Sequence, residues 1–141
     1  MDKRTLPNEI LLGEVSAVLR DGREAVIIPS GCSMLPFIRG DVDRVALRRE
    51  PDVAVGDIVL VRIGERYILH RAIARDGDAL TLMGDGNIAG KEHCTLDDVI
   101  GTAIEIIRPS GRRVVPGRAR LWRALLPLRR VLLGVWRRLF L

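Results

Sequence analysis

The sequence predicts a mainly β protein, with one antiparallel sheet curled into a partly open barrel or sandwich. A short N-terminal helix precedes the sheet and a C-terminal amphipathic helix follows it. Three observations predict this. Short β-branched runs recur between residues 25 and 107, turn residues separate them, and helical spacing of apolar residues is confined to the two ends. The chain has 141 residues, 48% of them apolar, which suits a single domain with a true core.

The elements follow in order. Asn8 is placed to cap a helix carrying Ile10, Leu11, Val15, Val18 and Leu19 on one side, and Asp21-Gly22 ends it. The strand candidates are residues 25–28, 44–47, 57–63, 66–74, 79–83 and 99–107. Between them stand Pro29-Ser30-Gly31, Arg39-Gly40-Asp41, Val55-Gly56-Asp57, Asp76-Gly77-Asp78 and Gly84-Asp85-Gly86-Asn87. The stretch around His93 reads as loop. Three segments result: a helical segment at 1–22, a β domain at 23–107 and a basic helical tail at 108–141.

Charge divides the chain in the same place. Residues 1–107 hold 13 basic and 18 acidic side chains, whereas 108–141 hold ten arginines and no acid. An acidic body with a basic tail excludes a uniformly basic nucleic-acid binder, and no nucleic-acid partner is expected. No phosphate-binding glycine loop is present. Cys32 and Cys94 stand 62 residues apart without a close-spaced partner, so neither zinc nor a disulfide framework is expected. The N-terminus lacks a signal-peptide pattern, and no apolar run reaches bilayer length. A cytoplasmic location, peripheral on the inner membrane face, is the expectation.

The tail repeats in sevens: LWRALLP, LRRVLLG, VWRRLFL. At 100° per residue, Leu121, Leu125, Leu128, Leu132, Val135 and Leu139 form one stripe, with Arg123, Arg130 and Arg137 opposite. Pro127 is expected to kink the helix on its polar side. With Trp122, Trp136 and Phe140 beside the leucines, the tail suits an anionic membrane interface. The stripe could instead pack on the sheet or on a second copy of the chain.

The densest chemical signal is Pro29-Ser-Gly-Cys-Ser-Met-Leu-Pro-Phe-Ile-Arg-Gly-Asp41. Ser33 follows a strand and a glycine, and Pro36 fixes the chain just beyond. Such a turn can present a nucleophilic hydroxyl and aim a backbone N–H at a developing oxyanion. Residues 31–41 resemble the nucleophile segment of the signal peptidase I/LexA-like serine peptidases. Val55–Leu60, Tyr67–Arg71, Leu82–Asn87 and Val99–Gly101 resemble that family's later blocks, in the family's order, so the similarity spans about residues 23–107.

The resemblance implies the signal peptidase/LexA type of β fold and a serine endopeptidase that needs no metal or cofactor. Ser33 would be the nucleophile. Lys3 and Lys91 are the chain's only lysines and neither lies on the general-base strand, whereas His70 does. This implies the histidine-base type, as in the signal peptidase of the endoplasmic reticulum. Asp85 is the first candidate to orient His70, and Glu92 is the alternative. Gly31, Cys32 and Ser33 would supply backbone donors to the oxyanion, since Gly31 replaces the hydroxyl many signal peptidases carry there. Cys32 is expected to be a small buried thiol, Met34 and Phe37 to pack or line a groove, and Arg71 to face away from His70.

The family's signal peptidases carry an N-terminal membrane anchor and its repressors a helical DNA-binding domain. The 22 residues before the first strand match neither, so the chain is most similar to small stand-alone members. The implied substrate is a precursor or leader peptide. The rival expectation is a non-hydrolytic peptide-binding or membrane-adaptor module that keeps the fold.

Overall fold

A computed structural model describes residues 8–140, and side chains from Leu12 onward. The Asn8 cap and the Ile10 and Leu11 side chains lie outside that description, as do residues 1–7. Helix α1 (Asn8–Arg20) is followed by strands β1 (Ala25–Ile27), β2 (Arg44–Arg48), β3 (Ile58–Ile63), β4 (Arg66–Asp76), β5 (Ala79–Met83), β6 (Glu92–Thr95), β7 (Val99–Ile107) and β8 (Arg113–Val114). Helices α2 (Arg120–Ala124) and α3 (Arg129–Phe140) close the chain, joined by a 3₁₀ turn at Leu126–Leu128.

The eight strands form one antiparallel sheet in the order β1-β2-β7-β3-β4-β5-β6, with β8 pairing β7. The sheet is not closed: β1 and β6 are its edges. Shifts of register within β2–β7, β3–β7 and β4–β5 bend it instead. Strand β3 is buried on both faces. Ile58 and Leu60 enter one core with Val15, Leu19, Val45 and Ile106, while Val59 and Val61 enter a second with Ala72, Leu80 and Leu82. That is the period of two at work. Leu19 is fully buried, so its truncation to alanine costs about 2–5 kcal/mol.

Three parts of the fold depart from the sequence expectation. The segment expected as helical tail begins with strand β8, which pairs with β7, and is helical only from Arg120. Residues 92–95 are a strand rather than loop, and His93 lies exposed on it with Nδ1 3.4 Å from Thr81 Oγ1. The tail is not one kinked helix. Pro127 sits in the first turn of the 3₁₀ segment, where its missing N–H has no helical partner to lose, and α3 starts afresh after it.

Candidate active site

The segment between β1 and β2 carries Ser33. Gly31, at φ +81°, turns the chain through the left-handed region that a side chain resists. Met34 and Ile38 then bury into the first core and anchor the turn from below. Asp43 fastens its far end, accepting from Arg39 N at 2.7 Å and from Arg108 Nη1 at 2.6 Å. Arg108 also donates to Phe37 O at 3.0 Å.

The near end is held by the Gly84–Asn87 turn. Gly86 N donates to Ser33 O at 2.8 Å. A Cβ at Gly84 would collide with the Ser33 carbonyl, and one at Gly86 with the Cys32 carbonyl. Glycine is therefore required at both positions, because the two backbones approach too closely for a side chain. Cys32 and Ser33 keep N–H groups that donate to no backbone carbonyl among the described residues.

His70 lies on β4 and is buried, while Glu92 opens β6 and is partly exposed. Glu92 Oε2 is 2.9 Å from His70 Nδ1. A carboxylate only accepts, so Nδ1–H is the donor of this bond, and in the neutral ring Nε2 then holds the lone pair that a general base needs. Ser33, His70 and Glu92 line one cavity of about 470 Å³, whose apolar walls include Ile27, Met34, Leu60 and Tyr67. No side-chain hydrogen bond joins Ser33 to His70 among the described residues, and catalytic hydrogen bonds often tighten only when substrate binds.

Asp85, the first candidate for orienting His70, is not beside it. Successive residues of a strand point to opposite faces, and Asp85 meets the neighbouring Arg71 on the other face. Arg71 Nε is 2.8 Å from Asp85 Oδ1 and Nη2 is 2.7 Å from Oδ2, with both side chains 1% exposed. Arg71 Nη1 also donates to Gly56 O and Gly117 O, each at 2.7 Å. The Arg71 guanidinium stands 5.1 Å from the Phe37 ring centre, so Phe37 packs on this charge cluster and is absent from the cavity wall.

Cys32 is exposed, not buried: the turn around it is tight rather than extended, which carries the thiol to the surface. The buried thiol is Cys94. Burial, with a smaller contribution from Asp98, pushes it up to about 11.

Arg129 escaped the sequence reading, and Trp122, expected at a membrane or partner face, is turned inward instead. Trp122 Nε1 donates to Asp85 O at 2.9 Å, and its ring meets Phe37 edge-on at 6.1 Å. Trp122 therefore faces the Gly84–Asn87 turn and Phe37, away from any outer membrane or partner stripe. Arg129, 1% exposed, donates to Gly84 O and Asn87 O at 3.2 Å and stands over the Trp122 ring at 5.4 Å. Burial pulls its guanidinium below the ordinary value, with Asp85 acting in the opposite sense. The all-arginine tail held a signal for this, since a cation among apolar residues must find carbonyls when buried. No protein-family model matches the chain, and no curated protein matches it.

Proposed function

We propose that the protein is a serine endopeptidase of the signal peptidase I/LexA-like type with histidine as its base. The observation that carries the reading is the His70–Glu92 hydrogen bond in the cavity that Ser33 lines. In this mechanism Ser33 Oγ attacks the scissile carbonyl and His70 Nε2 takes its proton, then passes it to the leaving amine. Glu92 fixes the tautomer and stabilises the imidazolium. The Cys32 and Ser33 N–H groups hold the oxyanion. Water then attacks the acyl ester, with His70 again as base, and releases Ser33.

Two unpaired backbone edges suggest how substrate binds. Among the described residues, strand β1 pairs only with β2, and β4 pairs with β5 only from Arg71 onward, which leaves residues 66–70 free on one side. Ile27 and residues 66–70 both border the cavity. An extended peptide laid between these edges would gain main-chain hydrogen bonds and place apolar side chains against Ile27, Leu60 and Tyr67. A precursor or leader peptide is the substrate class proposed.

Intact-mass spectrometry with a serine-directed acylating probe tests the reading. The expected result is one adduct on wild type, none on Ser33→Ala and a much slower one on His70→Ala. Equal labelling of Ser33→Ala overturns it. So does the absence of any adduct together with intact candidate peptides, a result that supports the non-hydrolytic binding module.

A further inference from the structure

The tail meets the body through one side only. On α3 at 100° per residue, Arg129 and Leu133 share the docked side and both are buried. Leu128, Val131, Val135 and Leu139 fall on a separate stripe and are exposed, Leu139 at 71%. Leu121 of α2 is 73% exposed. Leu125 and Leu132, the remaining members of the predicted stripe, are half-buried, as is Trp136, which stacks against Phe140 at 5.5 Å. The leucine stripe therefore does not pack on the sheet. Three exposed arginines, Arg130, Arg137 and Arg138, with Gly134 and the exposed Phe140 ring, take up the rest of the outer circumference.

We infer that this outer stripe docks on an anionic lipid surface, with α3 lying in the plane of the interface. Three observations select lipid over other occupants. The whole segment 108–141 carries ten arginines and no acid, so nothing on it repels anionic headgroups. Two such tails brought together would repel each other, which disfavours a helix-to-helix dimer. The body has five more acids than bases, so it is pushed away from the same lipid surface and the tail is turned toward it. Aliphatic side chains enter the acyl boundary while long arginines reach back to phosphates. No described helix is long and apolar enough to cross a membrane, so this contact lies on the surface. The inference does not depend on the proposed reaction.

Vesicle co-sedimentation of the full chain tests it, using phosphatidylcholine alone and phosphatidylcholine with an equal part of phosphatidylglycerol. Wild type is expected to bind the anionic vesicles roughly tenfold or more tightly and to lose that preference in high salt. Leu128→Glu/Val135→Glu/Leu139→Glu is expected to stay in solution at unchanged thermal stability, since all three side chains are exposed. Equal binding to both vesicles, or wild-type binding by the triple variant, overturns the inference. A stripe-dependent dimer that leaves anionic vesicles unbound also overturns it and assigns the surface to a second copy.

Discussion

Two neighbouring residues of β4 carry opposite kinds of charge pair. His70 faces the cavity and pairs with Glu92 through one 2.9 Å bond, and the carboxylate keeps part of its surface in water. Arg71 faces inward and pairs with Asp85 through a two-pronged contact, with no surface left on either side. The first pair rests on that single contact beside the cavity. The second is locked from several directions, because arginine stays charged and its donors also hold Gly56 O and Gly117 O. The pair at the cavity is the one on which the proposed proton transfer rests, and the buried pair under it holds the turn in position.

The largest effect that would break this contrast belongs to the buried pair. Arg71→Met leaves Asp85 charged and unpartnered, and is expected to lower stability by about 3–5 kcal/mol in urea unfolding. Adding Asp85→Leu to that variant is expected to recover much of the loss, since a paired apolar replacement removes the stranded charge. Next comes Glu92→Gln. Under the proposed mechanism it is expected to slow acylation of Ser33 roughly a hundredfold while moving the unfolding midpoint little, because Glu92 pairs with His70 at the cavity and not within the core. If Glu92→Gln destabilises the fold as Arg71→Met does, the contrast is gone. The smallest effect sharpens the role of the tail: Trp122→Phe keeps the ring and removes one donor, and is expected to cost about 1 kcal/mol in the same unfolding measurement.

Much of the sheet is legible in the sequence alone. Period-two runs such as Ile58–Ile63 bury alternate residues on two faces, and a turn signal bounds each one. Strand β6 was hidden because Glu92-His93-Cys94-Thr95 is mostly polar and short, and it exists only by pairing with β5. The same blindness left Glu92 as second choice: the edge strand that delivers it to His70, 22 residues earlier, had no local signature. Asp85 looked catalytic because an acid in a glycine turn carries no mark of which strand face it will meet. The tail shows the converse. Its leucine stripe was plain in the heptads, yet docking uses Arg129 and Trp122, whose partners are backbone carbonyls that no side-chain pattern reveals.

One of those carbonyls has a consequence for motion. The Asp85 C=O that receives Trp122 and the Gly86 N–H that holds Ser33 O belong to a single peptide unit. That unit is planar and resists twisting, so the two hydrogen bonds grip opposite ends of one stiff plate. Each bond polarises the amide and strengthens the other. A tilt of α2 would thus reach the carbonyl of Ser33 through the Trp122 indole and this one peptide plate. The seat of α2 and the backbone that carries Ser33 thus share one rigid element.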